Sequence, residues 1–215
     1  PVEVARRPAG AGWILDVGAV RAAARTAAVV WLCSPNNPTG LPEPEGSIQA
    51  LLAGIAEDSA RDGRLRPVVV IDEAYAEFAG WTAIGLRDEY PDLVVIRTMS
   101  KAYGLAGIRV GFAVARPEVI ARVAPYRPPG SVSTISVTVA TEVLEADGIA
   151  QANVARVEAE RPRLAAALQA AGLNVGPTVT NFVLVGCGSP ERAAVVAEGL
   201  LRRGLVPRTF GRGHA

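Results

Sequence analysis

Four short apolar runs, at residues 28–33, 68–72, 93–98 and 110–115, alternate with longer stretches of helical period. Strands joined by helices in this way form parallel sheets, because a parallel pair needs a long crossover between its members. The near-continuous hydrophobicity of the runs fits strands covered on both faces. The expected fold is therefore α/β, a mostly parallel sheet with helices on both faces.

Helices are expected at residues 47–62 and 117–124, the second opening on Pro117, which suits a first helical turn. Pro125, Pro128, Pro129 and Gly130 then interrupt the pattern and mark the best internal boundary. The chain accordingly divides into a large domain at residues 1–127 and a second part at 128–215, comprising linker helices and a portion of a smaller α/β domain. Residues 136–171, rich in Ala, Leu, Glu and Arg, read as two helices broken near Gly148, the second bent or restarted at Pro162. A strand at 181–185, a helix at 190–203 and a short strand at 205–206 complete the tail.

Composition narrows the function. Of the 215 residues 50% are hydrophobic and 20% charged, the balance of an ordinary globular protein. A formal net charge of +1 gives no electrostatic case for nucleic acid or for an anionic membrane. No apolar run approaches the roughly 20 residues that cross a bilayer, and no leader pattern opens the sequence, so a cytoplasmic location is expected. Cys33 and Cys187 follow no ligand spacing, and the single histidine, His214, stands at the extreme end. That inventory assembles neither a Cys/His zinc site nor a histidine-based nucleophile relay. The sequence starts at Pro1 and stops shortly after Phe210, which is the expectation for a fragment of a longer polypeptide.

Among 22 basic residues Lys101 is the sole lysine. A guanidinium effectively never loses its proton and cannot form an imine with an aldehyde, so that chemistry can fall only to Lys101. The bland alternative is a surface lysine that survived a compositional drift toward arginine.

Three segments, each directly after an expected strand, hold nearly all the unusual polar residues, and the carboxyl ends of parallel strands form a ligand crevice. The first, Ser34-Pro35-Asn36-Asn37-Pro38-Thr39-Gly40, reads either as a turn or as a loop aiming the Asn37 amide at a ligand oxygen. The second ends an apolar run in Asp72-Glu73-Ala74-Tyr75. An Asp-Glu strand end also occurs in P-loop nucleotide hydrolases, but their G-x-x-x-x-G-K-[ST] loop has no counterpart around Lys101. The third runs Thr98-Met99-Ser100-Lys101 and then Gly104 to Arg109, where hydroxyls and a guanidinium beside an amine suit a phosphate cradle.

Taken together, these segments resemble the fold-type I aminotransferases that use pyridoxal 5'-phosphate, and among them most closely the histidinol-phosphate aminotransferase branch. The resemblance is strong over residues 28–114 and looser to Arg208. It implies that Lys101 binds the cofactor aldehyde and then carries the α-proton of the substrate. Asp72 would face the pyridine nitrogen, in the family pattern D-x-x-Y that ends here at Tyr75. Tyr75 and Asn37 would donate to the ring oxygen, Asn37 lying also beside the substrate, while Thr98, Ser100 and Arg109 would hold the phosphate. Arg208 would meet the substrate phosphate, although Pro207 precedes it where the family usually has leucine or valine.

The implied reaction is transamination of an amino-phosphate, histidinol phosphate, with 2-oxoglutarate or glutamate as partner, by a homodimer. Two alternatives remain: a decarboxylase of a phosphorylated amino acid such as threonine phosphate, and a non-catalytic regulatory module that binds the cofactor. The family's upstream phosphate loop, ring-stacking aromatic and later carboxylate-binding arginine cannot be located in this sequence.

Overall fold

The computed structural model describes residues 1–10 and 12–210, so His214 lies outside the described residues. In chain order the elements are β1 (Arg7–Ala9), β2 (Gly12–Ile14), α1 (Val17–Ala24), β3 (Val29–Cys33), α2 (Ser47–Arg61), β4 (Val68–Asp72), β5 (Leu93–Thr98) and β6 (Gly111–Ala115). Then follow α3 (Pro117–Val123), α4 (Thr134–Glu145), α5 (Ile149–Ala170), β7 (Asn174–Val175), β8 (Val185–Gly186) and α6 (Pro190–Leu201).

The central sheet has the order β3-β4-β5-β6. Its first three strands are parallel and β6 returns antiparallel, so the sheet is mixed and mostly parallel. The reversal follows from the β5–β6 connection, which carries only a one-turn 3-10 segment, Ala106–Ile108, and no crossover helix. Gly111 is required where the chain turns back, since a Cβ there would stand 2.9 Å from the Arg97 carbonyl oxygen.

Alternation along the strands decides which face α1 and α2 cover. Val30 and Leu32 of β3, Val69 and Ile71 of β4, and Leu93 and Val95 of β5 are buried in one cluster with Ile48, Leu51, Leu52 and Ile55 of α2. Those helix positions follow the i, i+3, i+4, i+7 spacing of a single apolar stripe. Val29 and Trp31, on the opposite face of β3, remain 52% and 61% exposed. Asp16 caps α1 by accepting from Ala19 N at 2.9 Å, and Arg21 ties α1 to α2 through two 3.1 Å hydrogen bonds to Asp58.

The structure departs from expectation in the second part of the chain. The helix α5 continues through Pro162 without a restart, flanked on both sides by strong helix formers. The strand expected at 181–185 reduces to the pair Val185–Gly186, which joins Asn174–Val175 antiparallel, and residues 205–206 form no strand. These short apolar runs lack a neighbouring sheet to complete their backbone pairing. No helix among the described residues is long and apolar enough to cross a membrane.

Candidate active site

Because β3, β4 and β5 run parallel, their carboxyl ends lie side by side. Cys33 pairs in register with Asp72, and Asp72 with Ile96. The ladder runs one step past β3, where Ser34 N donates to Asp72 O at 3.0 Å. Each strand then releases one of the three polar segments toward the same end of the sheet.

The loop after β3 is internally braced. Asn36, which is buried, donates from Nδ2 to Thr39 Oγ1 at 2.9 Å, and its backbone closes on Leu41 and Gly40. Gly40 has φ +77°, and a Cβ there would collide with the Thr178 side chain. The Gly40 carbonyl accepts from Val179 N at 2.8 Å and from Thr178 Oγ1 at 3.2 Å. This contact packs the later part of the chain onto the loop and leaves Asn37 at its exposed tip.

From that tip Asn37 Nδ2 donates to Tyr75 Oη at 3.2 Å. The Tyr75 ring is buried, with Phe182 edge-on at 5.2 Å between centroids. Lys101 Nζ stands 5.4 Å from the same ring centroid, within the range of a cation–π contact. Lys101 is half-buried and forms no ion pair among the described residues. Its turn is held from α5, where Asn153 Nδ2 donates to the Ala102 carbonyl at 2.8 Å.

Asp72 turns the chain after β4 by accepting from Ala74 N at 3.1 Å on Oδ1, which leaves Oδ2 without a protein donor among the described residues. Thr98 Oγ1 accepts from Ser100 N at 3.1 Å, so its own hydroxyl proton stays free to donate outward. Burial pushes the neighbouring Cys33 thiol up and keeps it protonated, the largest of several influences on it.

Arg109 sits at φ 56°, an uncommon backbone state for a residue with a Cβ, and its exposed guanidinium donates to Ala106 O at 2.9 Å. Arg208 is exposed beyond α6 and enters none of these contacts. The structure thus brings Asn37 and Lys101 each into contact with Tyr75, places Asp72, Thr98 and Ser100 at adjoining strand ends, and shows no contact of Arg208 with them. Sequence reasoning did not single out Phe182 or Asn153, because each acts through a contact with a segment distant in the chain.

The class I and II aminotransferase model matches residues 1–212. The chain belongs to that family. Histidinol-phosphate aminotransferase of Symbiobacterium thermophilum is 39% identical over 204 residues, covering 94% of this chain and 54% of that protein. The enzyme of the same name from Roseiflexus castenholzii is 39% identical over 189 residues, covering 86% of this chain and 48% of its own length. Histidinol-phosphate aminotransferase from Sinorhizobium meliloti, solved in complex with pyridoxal-5'-phosphate, superposes with a TM-score of 0.83 at 28% identity, over 95% of this chain and 55% of that one. The chain spans about half the length of the curated relatives it matches.

The side chains present fit pyridoxal phosphate chemically. Lys101 offers an amine with no carboxylate partner among the described residues, Asp72 an oxygen with no donor, Tyr75 and Asn37 two adjacent donors, and the Thr98–Ser100 turn two hydroxyls.

Proposed function

We propose that this chain supplies the cofactor-holding part of a pyridoxal phosphate-dependent aminotransferase acting on histidinol phosphate, with 2-oxoglutarate or glutamate as the exchanging partner. The carrying observation is the sole lysine of the sequence, half-buried beside the Tyr75 ring with no acidic partner among the described residues. The identities of 39% to histidinol-phosphate aminotransferases support the substrate reading.

Pyridoxal phosphate, when bound, supplies an aldehyde carbon for the substrate amine and an aromatic ring that withdraws electrons from the substrate α-carbon. Lys101 would hold that carbon through its Nζ. Displaced by the substrate amine, that Nζ would be the base that takes and returns the α-proton, the proton shift at the centre of transamination. Asp72 Oδ2 would accept from the ring nitrogen and keep it protonated, which would sustain the pull on electrons. Asn37 Nδ2 already donates to Tyr75 Oη, which polarises the phenol and leaves its proton to face the ring oxygen. Thr98 and Ser100 hydroxyls, with the Arg109 guanidinium, would grip the phosphate and fix the ring in position.

Arg208 is assigned to the substrate phosphate, a role carried by the family pattern at residues 204–208 and not by a contact in the described structure. The division at residues 127 and 128, a homodimeric assembly and a cytoplasmic location belong to the same proposal.

The test is an absorbance spectrum of the protein with pyridoxal phosphate, recorded before and after histidinol phosphate and then 2-oxoglutarate. The visible band of lysine-bound cofactor should fall with the first addition and recover with the second. Carbon dioxide release on adding threonine phosphate would favour a decarboxylase, and absence of the band would overturn the cofactor assignment.

A further inference from the structure

Behind the cluster lies a second charged group that the chemistry above does not use. Glu73 is fully buried, with Oε1 accepting from Ala83 N at 2.6 Å and Oε2 from the Thr82 hydroxyl at 2.7 Å. Arg97 Nε stands 3.0 Å from Glu73 Oε2, an ion pair whose alignment is too poor for a hydrogen bond. The Arg97 fork is completed on the other side, where Nη1 donates to Glu77 Oε1 at 2.6 Å. Arg97 and Glu77 side chains are only 14% and 13% exposed, so the whole group is shielded from solvent screening.

The placement of these three residues is specific. Glu73 follows Asp72, Arg97 precedes Thr98, and Glu77 lies in the 3-10 segment Ala76–Phe78 directly after Tyr75. Successive strand residues face opposite ways, so Arg97 points toward the core side of the sheet while Thr98 points toward the cluster. The β4–β5 register ends at Asp72 and Ile96, and its last backbone rung is Glu73 N to Ile96 O at 2.9 Å. Past that rung β5 pairs with β6 alone, through Arg97 with Phe112 and Thr98 with Gly111. The tie between the two strand continuations is then the Glu73–Arg97 pair, extended by Glu77 to the turn that bears Tyr75.

We propose that Glu73, Arg97 and Glu77 are positioning residues for the cofactor, setting the separation between Asp72 at the ring nitrogen and the Thr98–Ser100 turn at the phosphate. The inference rests on the pyridoxal phosphate reading. A ligand with a flat ring and a short phosphate arm spans the ends of two strands. Its two ends are satisfied together only if those strands keep one spacing.

The experiment compares pyridoxal phosphate with pyridoxal, which lacks the phosphate, in the full chain. Apparent affinities for both are measured by fluorescence quenching, alongside thermal unfolding without ligand, for wild type, Glu73→Gln, Arg97→Lys and Glu77→Gln. Wild type that binds neither compound sinks the cofactor reading itself and is told apart from failure of this inference. Given wild-type binding, Arg97→Lys and Glu73→Gln should weaken pyridoxal phosphate about tenfold or more, the scale on which loss of a supporting contact affects a bound group. Pyridoxal should weaken much less, so the preference for the phosphate-bearing compound falls. Glu77→Gln, at the edge of the group, should change the preference in the same direction by a smaller factor. Should Glu73→Gln not fold, the other two variants carry the same comparison. Variants that unfold at lower temperature yet keep the wild-type preference would show a purely structural latch and overturn the proposal, as would unchanged affinities with unchanged stability.

Discussion

Lys101 and Tyr75 can be separated experimentally because each has one group for the chemistry and another for packing. Replacing Lys101 with arginine retains a cation able to lie over the Tyr75 ring, where Nζ now stands 5.4 Å from the centroid, but removes the only amine that can bond to an aldehyde. The variant should lose the visible cofactor band and all turnover, while its urea midpoint changes stability by less than about 0.5 kcal/mol. Tyr75→Phe keeps the edge contact with Phe182 and deletes the oxygen that Asn37 addresses at 3.2 Å. Asn37 is exposed at its tip and can turn to water, so the expected stability loss is at most about 1 kcal/mol. Its effect should appear as a shifted pH dependence of the cofactor band, because the ring oxygen would lose a donor. An unshifted band in Tyr75→Phe would remove Tyr75 from the proposed site.

At the scale of elements, the loop after β3 owes its shape to a contact more than a hundred residues away in sequence. Gly40 combines φ +77° with a position where any Cβ meets the Thr178 side chain, and its carbonyl receives two donors from residues 178 and 179. Gly40→Ala should therefore cost at least about 1 kcal/mol for the backbone state alone, read from chemical denaturation, and should weaken cofactor binding by displacing Asn37. The four strands of the central sheet and α2 were legible in the sequence, because continuous apolar runs and an i, i+3, i+4, i+7 stripe are local signals. The hairpin β1–β2 and helix α1 were not anticipated. The hairpin has three-residue strands with little alternation, and α1 is built on alanine, whose only start signal is Asp16. At the candidate site, Lys101 and Asp72 stood out by residue type, whereas Glu73 and Arg97 were passed over. An arginine inside the apolar run of β5 was the available signal, since a charge so placed needs a buried partner.

For the whole molecule, two carboxylates with opposite perturbations shape the response to acid. The hydrogen bond from the Arg21 side chain, with help from Arg61, holds Asp58 below its ordinary value of 3.8. Its contribution to stability is present above that value and is lost as pH falls through the lower, folded one. Burial pushes Glu73 the other way, above its ordinary value of 4.5, against the opposing Ala83 N–H, Thr82 hydroxyl and Arg97. The folded state therefore binds the Glu73 proton more tightly, and stability declines as pH rises from 4.5 to the raised value and is flat beyond it. Urea midpoints measured across the acid range separate the two. Asp58→Asn should be less stable than wild type near neutral pH, and the gap should narrow as pH falls below 3.8. Glu73→Gln should show the reverse trend, its midpoint relative to wild type rising as pH climbs from 4.5 through the raised folded value, because a neutral amide has no proton to surrender. Parallel curves for Asp58→Asn and wild type down to the acid limit would mean that the α1–α2 clamp acts through shape and not through charge. Equally parallel curves for Glu73→Gln would mean that Arg97, with the Ala83 N–H and the Thr82 hydroxyl, holds that carboxylate ionised despite its burial.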